Sequence, residues 1–152
     1  MNKIINYTLL FFFVFVSSCS YEPILNKQKY QFSININKIS GDQEINKIIV
    51  RNLNNLSKKQ EVYDLILSSR KEKTIISKDT SGDPLIFQIL INLEYIIKKD
   101  EKILIDRNIK RKVRYNNITD KFEMEKYEKN IIENLSSNIS DMILSSISEI
   151  NE

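Results

Sequence analysis

Leu85-Ile86-Phe87-Gln88-Ile89-Leu90-Ile91-Asn92-Leu93-Glu94-Tyr95-Ile96-Ile97 is a long apolar-rich run with β-branched and aromatic side chains and no glycine or proline. Those residue types fit a pleated sheet, and the segment reads as one long strand. On its N-terminal side Asp79-Thr80-Ser81-Gly82-Asp83-Pro84 is the strongest turn signal in the chain. On its C-terminal side Lys98 to Lys102 is a polar hairpin, after which Ile103 to about Tyr115 returns as a further strand.

Moving outward, Val62 to Ser69 reads as a strand with Tyr63, Leu65 and Leu67 on one face, and the pattern could resume over Thr74 to Ser77. Earlier still, Tyr30 to Asn37 alternates apolar and polar, the mark of a half-buried strand. Ser40-Gly41-Asp42 breaks it, and both Ser40 and Asp42 are able to cap a helix that follows. From Gln43 to about Lys59, Ile45, Ile48, Ile49, Leu53 and Leu56 recur at three- and four-residue steps, which predicts an amphipathic helix. A second helix is marked by Tyr127, Ile131, Leu135, Ile139, Met142, Ile143, Ile147 and Ile150, with Asp120 and Glu123 as a capping arrangement at its start. Serines crowd its other faces, which predicts a solvated outer side. About four strands and two helices, each with one apolar face, must bury those faces together. The expected fold is α+β: a roughly four-stranded sheet with two amphipathic helices packed on one face.

The chain has 152 residues, 41% hydrophobic and 28% charged, which is one domain's worth of sequence and too apolar for a disordered chain. Its two glycines, Gly41 and Gly82, exclude a Gly-rich phosphate loop. It has no histidine, so the commonest general base and metal ligand is missing. The single cysteine, Cys19, excludes an internal disulfide and every multi-cysteine metal site. A net charge of +3 is too small to mark a nucleic-acid binder. Abundant Lys, Asn and Ile without any Ala fit the codon bias of an AT-rich genome.

The N-terminus reads as an address. Lys3 precedes an apolar stretch, Leu9 to Val16, then Ser17, Ser18 and Cys19. That stretch is too short for a permanent span and has the form of a secretory signal. Val16-Ser17-Ser18-Cys19 resembles the bacterial lipobox, which implies cleavage before Cys19 and acylation of its thiol. Residues 1–18 are thus a signal peptide, 19–29 a lipidated tether, and 30–152 a single domain. By resemblance to the lipoprotein sorting rule, Ser20 after the cysteine favours the outer membrane.

No nucleophile–base constellation can be assembled, since the serines lack a histidine partner. Asp79 and Asp83 are most simply turn formers. The expectation is a non-enzyme without cofactor or metal. The basic segment Arg107 to Tyr115 is more informative, because strand alternation puts Lys110, Lys112 and Arg114 on one face and Ile109, Val113 and Tyr115 on the other. Three cations about 6–7 Å apart suit a phosphorylated, membrane-proximal ligand. They equally suit a solvated strand whose lysines discourage edge aggregation.

The order of elements resembles the LPS-assembly lipoprotein family, LptE (RlpB). The matching residues are Cys19-Ser20-Tyr21-Glu22-Pro23-Ile24, Arg51-Asn52-Leu53 with Leu56, Tyr63-Asp64-Leu65-Ile66-Leu67, Leu93-Glu94-Tyr95-Ile96-Ile97, Tyr115-Asn116 and the helix from Tyr127 to Ile150. The chain departs at Ser20, where the family usually has glycine. The resemblance implies an outer-membrane lipoprotein that complexes with and plugs the LptD β-barrel and assists its assembly. It also implies a part in carrying lipopolysaccharide to the outer leaflet, with Lys110, Lys112 and Arg114 facing lipid A phosphates and acylated Cys19 holding the membrane. Auxiliary lipoproteins of lipid ABC transporters share this architecture and are the alternative, followed by a structural envelope lipoprotein.

Overall fold

Four strands pair in chain order: β1 (Phe32–Gly41), β2 (Glu61–Lys78), β3 (Pro84–Lys99) and β4 (Lys102–Asn116). Helix α1 (Gln43–Asn54) lies between β1 and β2 in sequence, and α2 (Lys121–Ser148) closes the chain. The structure is a computed structural model and describes residue 30 and residues 32–54 and 61–150. The signal segment, Cys19, the tether and Leu56 to Lys59 lie outside the described residues.

β1 and β2 run parallel, a pairing that needs a crossover, and α1 lies in that crossover. The β2–β3 and β3–β4 pairs are antiparallel, so the sheet is mixed. Register sorts the side chains onto two faces. Tyr63, Leu65 and Leu67 of β2, Ile89 to Ile97 at alternate positions of β3, and Ile105, Ile109 and Tyr115 of β4 share the face that the helices cover. Ile45, Ile49 and Leu53 from α1 and Ile139, Ile143 and Ile147 from α2 close this core. Phe32 meets Tyr63 edge-to-face at 5.7 Å.

The entry to α1 is fixed by close contact. Gly41 has φ +94°, and a Cβ there would lie 1.8 Å from the Ser69 carbonyl oxygen. Only glycine accepts both conditions. The next residue caps the helix: Asp42 Oδ1 accepts from the N–H groups of Glu44 (3.0 Å) and Ile45 (3.1 Å). Asp42, rather than Ser40, is therefore the cap, and β1 extends through Ser40 past a register shift after Ile36. Asp120 caps α2 in the same way, accepting from Phe122 and Glu123.

The β3–β4 connection is tighter than a five-residue polar hairpin. Lys99 pairs with Lys102, and Asp100 and Glu101 both take positive φ, the geometry of a two-residue turn that matches strand twist. At the other end Asp79 Oδ1 accepts from the N–H groups of Ser81 (2.9 Å) and Asp83 (2.8 Å), which is the turn-forming role expected of it.

Two expectations need correction. β2 is one strand of 18 residues rather than a short strand with a doubtful continuation. Its central inner-face residues are polar but partnered. Ser69 Oγ lies 2.7 Å from Asn46 Oδ1, Lys71 bonds Glu44 at 2.7 Å, and Lys73 bonds Glu128 at 2.5 Å. The second correction concerns the serines of α2. Ser136, Ser140 and Ser146 are buried, not solvated. Small side chains let α1 and the sheet approach closely, and Ser140 and Ser146 each donate to the carbonyl four residues back. Conversely Tyr127 and Ile150, expected on the buried stripe, are exposed.

Candidate functional site

Among the described residues no element covers the face of the sheet away from the helices, and the candidate site is built on it. Three rows of paired residues cross its basic half. Lys110 stands opposite Asn92, itself opposite Arg70. Lys112 follows with Leu90 and Glu72, and Arg114 with Gln88 and Thr74. Lys110, Lys112 and Arg114 are exposed on one face of β4, as the alternation predicts.

Among the described strands β4 is at the edge, so these side chains have a strand neighbour there on one side only. Arg114 Nε donates to Gln88 Oε1 at 3.2 Å, which orients its guanidinium across the face. Among the described residues Lys110 and Lys112 have no acidic partner. Arg70 is held by Glu72 at 3.1 Å within β2. Under Lys110 the Asn92 Oδ1 atom is buried without a hydrogen-bond partner, and leaving such an acceptor unsatisfied costs free energy.

The adjoining half of the face differs in charge. Asp64, Glu94 and Asp106 carry carboxylates there, and Asn108 Nδ2 reaches Glu94 Oε1 at 3.4 Å. A shallow groove of about 650 Å³ crosses this half, with Ile66 and Ile96 among its lining and Lys38, Glu94, Asp106 and Asn108 at its polar positions. The three predicted cations do not line this groove. They begin two residues beyond Asn108, so groove and cations form one strip along β4. The periodicity of β3 did not foretell the groove, because Ile96, which lines it, and Leu90, beyond it, read as part of a continuous apolar run. They lie half-buried on the open side.

Arg107 and Arg111, the other two arginines of the basic segment, point to the helix side. Arg111 Nε donates to Asn138 Oδ1 of α2 at 3.1 Å. Arg107 Nη1 lies 3.4 Å from Ser146 Oγ, beside the buried Tyr95 hydroxyl, which is 3.0 Å from the same serine. The Tyr95 side chain is therefore part of the core. Below it, burial and a hydrogen bond to Glu128 push the Tyr115 phenol well above its ordinary range.

At the β2–β3 hairpin end Ile75, Ile76 and Leu85 are exposed, as is Phe122 at the start of α2. No helix among the described residues is long and apolar enough to cross a membrane. No cluster of three or more metal-ligating side chains occurs among them.

No family model and no curated protein matches the chain. Its fold is similar to several solved structures. The crystal structure of the rare lipoprotein B from Shewanella oneidensis aligns with a TM-score of 0.59 at 16% identity, covering 80% of this chain and 96% of that one. The solution structure of lipoprotein B from Nitrosomonas europaea gives 0.58 at 12% identity, covering 78% and 86%. A crystal structure of a Xanthomonas campestris protein gives 0.53 at 13% identity, covering 85% and 93%. The mixed four-stranded sheet with two helices on one face is thus the rare lipoprotein B fold, as the resemblance of the sequence implied.

Proposed function

We propose that this chain is a non-enzymatic, LptE-like lipoprotein of the outer membrane, anchored by acylated Cys19. In this reading it complexes with the LptD β-barrel, partly plugs it, assists its assembly and takes part in lipopolysaccharide delivery to the outer leaflet. The shared fold with lipoproteins supports the class. One observation carries the ligand: Lys110, Lys112 and Arg114 stand in line on an exposed strand beside the half-buried Leu90, on a sheet face that no helix among the described residues covers.

Physical chemistry supports that choice of ligand. Exposed cations a few ångströms apart bind a diphosphorylated headgroup by charge-assisted hydrogen bonds. Leu90, opposite Lys112, accepts methylene groups, and such burial contributes about 25 cal/mol per Å². Two or more acyl chains on Cys19 give stable anchoring at about 0.8 kcal/mol per methylene.

The test has two arms. Gentle detergent extraction of the tagged, acylated protein, followed by mass spectrometry, is expected to return one large outer-membrane β-barrel at equal stoichiometry. Inner-membrane transporter subunits would instead make the chain an auxiliary lipoprotein. In the second arm, lipopolysaccharide binding by the folded Lys110→Glu/Lys112→Glu/Arg114→Glu variant is expected to fall at least tenfold. An unchanged affinity removes these residues from the site.

A further inference from the structure

β4 ends the sheet, and among the described residues no further strand pairs with it. Along an antiparallel ladder alternate residues turn their N–H and C=O groups away from the paired neighbour. Over Lys102–Asn116 this leaves a long row of backbone donors and acceptors on the free side. Natural edge strands of such length are normally shortened, bulged over their length, covered or guarded by charged side chains such as the lysines of β4. β4 is 15 residues long, and its one register shift lies near the hairpin, between the pairs Ile97–Ile105 and Lys98–Ile103.

Its charge is as lopsided as its backbone is open. Lys102, Arg107, Lys110, Arg111, Lys112 and Arg114 face a single carboxylate of the strand, Asp106. The opposite edge, β1, carries only Lys38. Lys110, Lys112 and Arg114 recur at every second residue, the spacing at which side chains of an added strand would stand beside them. A second copy of this chain docking β4 on β4 would set cation beside cation, which is destabilising. A strand with carboxylates at every second residue would instead form opposite-charge pairs across the whole basic half.

We infer that the free edge of β4 takes up an extended acidic segment of a partner protein as a fifth strand. Backbone hydrogen bonds hold the segment, and Lys110, Lys112 and Arg114 set its register and its sequence preference. The inference concerns the backbone edge and not the lipid reading, and either can fail alone.

Full-length protein in neutral detergent micelles, titrated with a twelve-residue Thr-Glu repeat peptide, tests it by amide hydrogen exchange. Exchange at alternate residues of β4 is expected to slow at least tenfold, with β1 unchanged. The same peptide N-methylated at alternate residues keeps its charge but loses backbone donors, and it is expected to give no protection. The Lys110→Glu/Lys112→Glu/Arg114→Glu variant is expected to lose the Thr-Glu peptide and to bind a Thr-Lys repeat instead. The inference is overturned by no slowing at β4 with millimolar peptide, or by equal protection from the N-methylated peptide. Protection at β1, or equal binding of both peptides by the variant, overturns it as well. Lipopolysaccharide binding measured on the same samples reports separately on the lipid reading.

Discussion

β3 presents two faces that look alike in sequence and differ in physical role. Ile89, Ile91, Leu93, Tyr95 and Ile97 lie against the helices and are 1% exposed or less. Ile86, Leu90 and Ile96 on the opposite face are only half-buried, interspersed with Gln88, Asn92 and Glu94. The first face has its partner within the chain. The second has apolar side chains among charges and no helix among the described residues, so it holds the sheet together less. The lesson is that hydrophobicity alone marks a strand, and the company of polar residues marks which face is left open.

The sharpest way to break this comparison is to truncate neighbours on one strand. Ile91→Ala is expected to destabilise the fold by about 3 kcal/mol, because it removes fully buried methyl groups and leaves a cavity. Leu90→Ala, one residue away, is expected to cost about 1 kcal/mol or less. Denaturant unfolding of both variants checks this, and equal losses would mean that the open face is a second core. Gly41→Ala is expected to cost roughly 3 kcal/mol as well, through positive φ and collision with the Ser69 backbone.

A smaller effect is expected at Tyr95, whose hydroxyl bonds Ser146 under α2. Tyr95→Phe removes one buried hydrogen bond, about 1 kcal/mol, with secondary structure unchanged by circular dichroism. Next comes a pH effect confined to the covered face. Tyr115 is held above the ordinary phenol range, first by burial and then by Glu128. The folded chain keeps a proton that the unfolded chain releases near pH ~10. This contribution is therefore intact below that pH and is lost as pH rises toward the folded value. Thermal melts of Tyr115→Phe above pH ~10 should fall less steeply with pH than those of the parent. Smallest of all is charge reversal at Lys110, Lys112 and Arg114, expected to move stability by no more than about 0.5 kcal/mol while weakening ligand binding. A large loss of stability there would make the basic strand structural.

The sequence made most of the architecture legible for identifiable reasons. After Pro84, which opens β3, the β3–β4 hairpin has neither glycine nor proline in its strands, and its apolar residues outnumber its breaks. The helix starts carry aspartates at the right offset, and both Asp42 and Asp120 act as caps. β2 was harder, because period-two hydrophobicity stops at Leu67 while the strand continues. Ser69, Lys71 and Lys73 face inward, where Asn46, Glu44 and Glu128 satisfy them, so the pattern that marks a strand is absent where polar partners replace apolar ones. Lys71 illustrates the balance. Burial would lower its pKa, but its bond to Glu44 and the field of Asp42 raise it. The buried serines of α2 were illegible for another reason. Helix–helix closeness is a property of the pair α1–α2, seen where Asn52 Nδ2 of α1 lies 3.5 Å from the buried Ser140 Oγ, and one helix's periodicity does not contain it. Of the candidate site, the alignment of the three cations was legible from alternation, whereas the groove beside them depends on which face the helices choose.

The parallel pairing of β1 with β2 places Phe32 opposite Glu61, at the very start of the 18-residue strand. At about 3.3 Å per residue, β2 is a lever of roughly 55 Å whose fixed end is where the chain enters the sheet. Arg70, in line with Lys110, lies roughly 30 Å along it, and Thr74, in line with Arg114, roughly 43 Å. In the function proposed above, an anchor at Cys19 would attach near this end and would give the domain two postures. Upright, it carries its cations about a bilayer core's thickness away from the membrane that holds it; reclined on its open face, it lays them among the headgroups.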